Sequence, residues 1–327
     1  MALQVNDRRG AYADAAAFGD GLAEELRQRP AIALLRARIR MRQGHMNHAS
    51  AALLETDIAA ASAGQRLLLQ LERASLRIYR ELAIRAALEE AKAAFDSAAN
   101  IEIDAGDRAD AERVHVRVLL IAAVYHEISN EEAHLARDRL PAIAARLEQA
   151  GRTDEALAAR FTHAERLEAP DARLSSLTTF SELALAAAQP GRAAEALIAQ
   201  AERLLASGSP ASEIEVCLAR AAELFEASDH IFGPVDVQRL RARLAVEREF
   251  AALESLDACL EAYLRIDFPK GAMSVLLDLS TLSHQRGRLK AAAAYRRRSL
   301  EMAETCGMGM MRDSARSAQV DLVMRGG

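Results

Sequence analysis

The chain has 327 residues, of which 72 are alanine, and carries no tryptophan, few aromatics (4%) and only 16 glycines and 7 prolines. That mix is poor for sandwiches and barrels, which want β-branched and aromatic residues, and rich in the best helix former. Half the residues are apolar, so a sizeable core is expected, and a net charge of −5 lacks the basic surplus of a nucleic-acid binder.

The N-terminal stretch MALQVNDRRGAYADAAAFGD has charges where a secretory signal needs an apolar run. With no run of 18 uncharged apolar residues, a soluble cytoplasmic protein without a membrane partner is the expectation. Residues 1–29 read as an N-terminal capping helix and residues 30–327 as a helical repeat region. Helical spacing of apolar residues begins near residue 12 and continues to the end. Residues 65–80 set Leu68, Leu71, Ser75, Leu76 and Tyr79 on one side. Between 80 and 106 a bend is required, although no Gly or Pro precedes Gly106. Residues 107–125 open with Asp107 and Asp110 as an acidic first turn and run on through Val114, Val118, Ile121, Ala122 and Tyr125. Breaks fall at Gly44, Gly64, Gly106, Ser129-Asn130, Gly151, Pro170, Pro190-Gly191, Gly208 to Pro210, Gly233-Pro234, Pro269 to Gly271, Gly287 and Gly307. Helices of roughly 12–20 residues with short connections follow.

Four of these breaks share one pattern, Gly followed five residues later by Ala, at Gly44, Gly151, Gly191 and Gly287. A Gly there suits a left-handed helix cap, and the Ala suits a crossing too close for a larger side chain. A second element recurs in LFEASDHIFGPVDVQRLRA, YLRIDFPKGAMSVLLDL and MAETCGMGMMRDSARSA, spaced by about 40 residues. Helix–turn–helix units with that period are the mark of an α-solenoid. The competing reading is a plain helical bundle with chance Gly–Ala spacing.

Leu276 to Glu304, LLDLSTLSHQRGRLKAAAAYRRRSLEMAE, resembles a tetratricopeptide repeat (TPR), with Leu276, Leu279, small Ser280, Gly287 at the turn, Ala292 and small Ser299. EQAGRTDEALAAR and AQPGRAAEALIAQ are similar to the second half of that repeat. The longer turns resemble the roughly 40-residue variety of bacterial regulatory and signalling proteins. The usual Trp and Gly of the first helix are missing, and Arg160, Gln200 and Arg296 stand where an aromatic is common. The resemblance implies an all-α, right-handed solenoid of antiparallel helix pairs. Its first helices would line a concave groove that binds a peptide or protein segment. Carried over unit by unit, the lining positions are Arg38 and Arg42, Thr178, Ser181 and Gln189, and Thr281, His284 and Gln285. Leu34, Ser181 and Leu277 replace the first member of the carboxylate clamp of chaperone-binding TPRs, which argues against that role. The expected function is a binding scaffold. The alternatives are a ligand- or peptide-responsive regulator, with a small molecule in the groove, and an enzyme with an enclosed pocket. A homodimer is open to a solenoid whose ends are uncapped.

No motif asks for a cofactor or metal. Glu112-x-x-His115 and Glu131-x-x-His134 have the spacing of di-iron ligands. They begin consecutive antiparallel helices, however, on the order of 20 Å apart. His45 and His48 straddle a turn and read as cap and surface residues. Cys217, Cys259 and Cys306 are too scattered for a disulfide framework. The basic C-terminal stretch, from Arg286 through Arg296, Arg297 and Arg298 to Arg325, reads as a solvated face or as a docking surface for an acidic partner. Met302, Met308, Met310, Met311 and Met324 read as core filling or as an adaptable contact surface.

Overall fold

A computed structural model describes residues 12–245, 249–313 and 315. Those residues form helices and turns, with no strand among them. The helices are α1 (Tyr12–Asp20), α2 (Glu24–Arg27), α3 (Pro30–Gln43), α4 (Met46–Leu54), α5 (Ala63–Glu81), α6 (Ile84–Ser97), α7 (Ala105–Val124), α8 (Asn130–Asp138) and α9 (Leu140–Gln149). They continue with α10 (Thr153–Glu165), α11 (Pro170–Ala186), α12 (Pro190–Ala206), α13 (Ala211–Ala227), α14 (Gly233–Leu244), α15 (Glu249–Arg265), α16 (Pro269–Gln285) and α17 (Leu289–Cys306). The segment read as one N-terminal capping helix holds two short ones, α1 and α2, in its described part.

From α11 onward the helices begin at residues 170, 190, 211, 233, 249, 269 and 289, a step of about 20 and hence a hairpin period of about 40. The turns explain the step. His45, Arg152, Ser209, His230, Phe268, Arg288 and Met308 each donate a backbone N–H to the carbonyl five residues back, at 2.7–3.0 Å. The residue before each donor has positive φ: Gly44, Gly151, Gly208, Asp229, Asp267, Gly287 and Gly307. This is the Schellman closure, which satisfies orphan carbonyls and reverses the chain in three residues. Gly44, Gly151 and Gly287 thus have the expected role. Gly191 does not: it lies buried inside α12, and Ala188 carries the left-handed conformation there (φ 55°). The bend between 80 and 106 also turns on a left-handed residue without glycine, Leu82 at φ 56°, whose N–H bonds the Ile78 carbonyl four residues back at 3.0 Å.

The Ala of the recurring pattern is completely buried in all four copies, at Ala49, Ala156, Ala196 and Ala292. At the last of these the hairpin is close enough for the buried Ser280 hydroxyl to donate to the Ala292 carbonyl, at 3.1 Å.

Contacts divide the chain into two units. Among the described residues, one comprises Gly19–Arg38 with Ala49–Ala188; the other comprises Ile39–His48 with those from Gln189 onward and Tyr12 through Phe18. In the second unit each helix from α12 to α17 packs on its successor, and α12 also touches α14, and α14 touches α16. Contacts to both the next helix and the next but one make two rows. In the first unit α5 packs on α6 and α7, and α7 packs on α9 and α10. Arg139 alone separates α8 from α9, so those two act as one bent helix, with Pro141 in the first turn of α9. Counted that way, α3, α5, α7, α10, α12, α14 and α16 are first members of hairpins and α11 is a second member.

Two glycines separate conformational from steric constraint. Gly151 has φ 72° with open space where a Cβ would point, whereas a Cβ on the helical Gly271 would lie 2.5 Å from the Phe268 ring and 2.7 Å from Tyr263. Gly151→Ala is expected to cost about 1–2 kcal/mol through backbone strain alone. Gly271→Ala is expected to cost about 1–3 kcal/mol and to displace both rings. Thermal melts with near-ultraviolet circular dichroism check this, because only Gly271→Ala should alter the aromatic signal.

Candidate binding surface

In the first unit the first-member helices carry an ion network. Glu72 on α5 is fully buried. It accepts from Arg38 Nε at 2.8 Å and Arg117 Nη2 at 2.5 Å. Asp110 on α7, 1% exposed, accepts from Arg38 Nη2 at 2.9 Å and from Arg113 Nη2 at 2.6 Å. Arg38 Nη1 reaches Glu155 of α10 at 3.7 Å, and Arg152 reaches Asp107 and Asp110. Burial alone would raise the Glu72 carboxyl, but the Arg117 and Arg38 charges hold it down at about 2. Asp110 is likewise held well below the carboxylate range against its burial, by Arg38 and Arg113. Four guanidiniums and four carboxylates balance, so the network joins α3, α5, α7 and α10 across one row. Asp110, expected as a helix-start charge, is buried here; the cap is Asp104, whose carboxylate accepts from Gly106 and Asp107.

A second network lies in the other unit. Arg239 on α14, 8% exposed, donates from Nη2 to Glu202 of α12 at 2.6 Å and faces Asp278 of α16 at 3.2 Å from Nε. Arg243 Nε lies 3.6 Å from the same carboxylate. The fully buried Tyr263 donates its hydroxyl to Asp236. Here burial outweighs the arginines, and both Asp236 and Asp278 are pushed up. A carboxylate raised by folding weakens the fold as pH climbs through its range, the opposite sign to Glu72. Asp278→Asn is therefore expected to cost much less stability than neutralising Glu72. Urea melts at neutral pH check this.

A third feature of that unit is the α3–α4 turn, which clips onto the α15–α16 turn. Gln43, fully buried, donates from Nε2 to the Asp267 carbonyl at 2.5 Å and to Asp267 Oδ2 at 2.7 Å. His45 Nε2 sits 2.9 Å from Asp267 Oδ1. A Cβ on Gly44 would lie 3.0 Å from the Lys270 backbone nitrogen and 3.1 Å from Met308 Sδ. Asn47 Nδ2 donates to the Thr305 carbonyl at 3.3 Å. His45, expected to be a cap or surface residue, is a clip residue. Met308 is core.

The residues expected to line a groove are distributed as follows. Arg38 is committed to the ion network, and Arg42 is half-buried near the end of α3. Thr178 and Ser181 lie on the second-member helix α11, Thr178 exposed with its hydroxyl bonded to the Leu174 carbonyl and Ser181 buried. Gln189 is the buried residue preceding α12. Thr281, His284 and Gln285 end α16, the first two with one half-exposed ring and one hydroxyl bonded to the Leu277 carbonyl. Arg42, Thr281, His284 and Gln285 fall in one unit, as do Arg38, Thr178 and Ser181. Of the di-iron-like pairs, Glu112 is held by Arg146 at 2.6 Å and Arg139 at 3.3 Å, and His134 pairs with Glu168. His115 packs on Phe95. Arg316, Asp321, Met324 and Arg325 lie outside the described residues.

The networks were missed in the sequence, yet a signal exists. Glu72 stands in the apolar stripe of its helix, four residues from both Leu68 and Leu76, and Asp110 stands four before Val114. A charge on a core face is buried and paired when the helix forms. Among the described residues no helix is long and apolar enough to cross a membrane. No protein-family model and no curated protein matches the sequence.

Proposed function

We propose that the chain is a right-handed, TPR-like superhelix that binds a peptide or protein segment along the row of first-member helices. The observation that carries this reading is the 20-residue step of helix starts from Pro170 to Leu289, closed by recurring left-handed caps. Such a step keeps alternate helices in register, and a row in register offers a continuous face to an extended segment. Arg42, Thr281, His284 and Gln285 are the contact residues assigned in the second unit. Binding relies on shape and a few hydrogen bonds on a preformed scaffold.

A peptide library displayed against the full chain tests the reading. Selected peptides should bind saturably and lose affinity in an Arg42→Ala, Thr281→Ala, His284→Ala variant. They should keep it in a Val216→Ala, Arg220→Ala, Glu223→Ala variant on α13. No selected peptide, or equal loss in both variants, would overturn it.

A ligand-responsive regulator is the second reading. It is favoured by the clip of Gln43 and His45 on Asp267, because those few polar contacts are the kind of closure a ligand can bias.

A further inference from the structure

Beside that clip lies a cleft of about 360 Å³, near the lower end of the range for small-ligand sites. Its floor is apolar: Leu264, Phe268, Pro269, Met302 and Cys306. Burial, with the Asp267 charge nearby, pushes the Cys306 thiol up, so it stays protonated and serves as part of the floor. The rim is mixed in sign. Arg298 and Glu301 are exposed one turn apart on α17, and Asp267 and His45 also line the cleft. Among the described residues the Glu301 carboxylate makes a long contact to Arg297, at 3.9 Å, with both side chains in solvent. Asp267 is half-exposed, and each of its oxygens keeps acceptor capacity beyond its one partner.

We propose that this cleft binds a zwitterionic amino acid with an apolar side chain. The side chain fills the floor, Arg298 takes the carboxylate, and Glu301 and Asp267 take the ammonium group. Wholly anionic or cationic ligands leave one sign of the rim unmatched, and a purely apolar ligand leaves both unmatched. A ligand seated there touches both the clip and α17, so it holds residues 39–48 against the C-terminal hairpin. The site is separate from the proposed groove, and its failure leaves the groove reading intact.

The test uses the full chain, calorimetry and three probes: L-phenylalanine, N-acetyl-L-phenylalanine and L-phenylalanine amide. Saturable binding of the free amino acid is expected, with each blocked probe weaker by about tenfold or more. Arg298→Gln should weaken the free amino acid by a similar factor while leaving the amide unchanged. Glu301→Gln should weaken the free amino acid and spare the acetylated form. Because both residues are exposed, melting curves should match the parent. Hydrogen exchange of residues 39–48 should slow when L-phenylalanine is bound. No saturable heat at millimolar concentration, or equal binding of all three probes, would overturn the proposal.

Discussion

Glu72→Ala should destabilise the chain by about 3–5 kcal/mol, the largest loss expected from a single charged residue here. Its carboxylate is fully buried and neutralises two partly buried arginines, Arg38 and Arg117. Removing it leaves Arg38 to Asp110 and Glu155 and takes the Glu72 ion pair from Arg117. Glu72→Gln keeps the shape and one acceptor but loses the charge, and should cost nearly as much. The pH dependence has a definite sign. Glu72 has its ordinary value when unfolded and about 2 when folded, so its stabilisation is whole above about pH 4.5 and lost as pH falls toward 2. The difference corresponds to about 3 kcal/mol. Asp110 acts in the same direction. Denaturant titrations at stepped pH should show a steep acid loss in the parent and a shallower one in Glu72→Gln. Equal slopes would remove the network from the account.

Tyr263→Ala is the second large effect, again about 3–5 kcal/mol. The ring is fully buried, tilted by 44° against Phe268 with centroids 5.7 Å apart and close to the Gly271 backbone, so it anchors the α15–α16 turn. Its hydroxyl serves Asp236, whose carboxyl burial already pushes up. Tyr263→Phe leaves the packing intact and removes that donor, and should cost about 1 kcal/mol. Chemical denaturation of both variants separates ring from hydroxyl. If Phe were as damaging as Ala, the hydrogen bond rather than the ring would hold the turn.

Much of the repeat was legible in the residues. Alanine content and the Gly–Ala pattern led to helical hairpins, and Ala49, Ala156, Ala196 and Ala292 are completely buried, Ala292 where a neighbouring helix comes close enough for the Ser280 hydrogen bond. What could not be read were turns made by ordinary residues. Leu82, Ala188, Asp229 and Asp267 adopt a left-handed backbone that glycine would adopt more cheaply, because tertiary packing overrides the local preference. Pro190-Gly191 showed the turn, but Gly191 lies in the helix and the cap falls three residues earlier. Arg38 was singled out through the resemblance, not through its chemistry. Its partners Glu72 and Asp110 lie 34 and 72 residues away, a pairing that no local pattern encodes. The clip is less legible still, since Gln43 meets Asp267 across 224 residues.

The alternation of hairpins is tested most directly by register-preserving deletion, read by cooperative thermal unfolding. Excising residues 211–248 removes two successive helices, α13 and α14, one from each row, and leaves α15 to follow α12 with the correct parity. Excising residues 211–232 removes the single helix α13 and places every later helix in the wrong row. Stacked hairpins predict a cooperative, helical protein from the first deletion and loss of cooperative melting in the second. Equal collapse of both, or equal survival, would contradict a fold built by repetition.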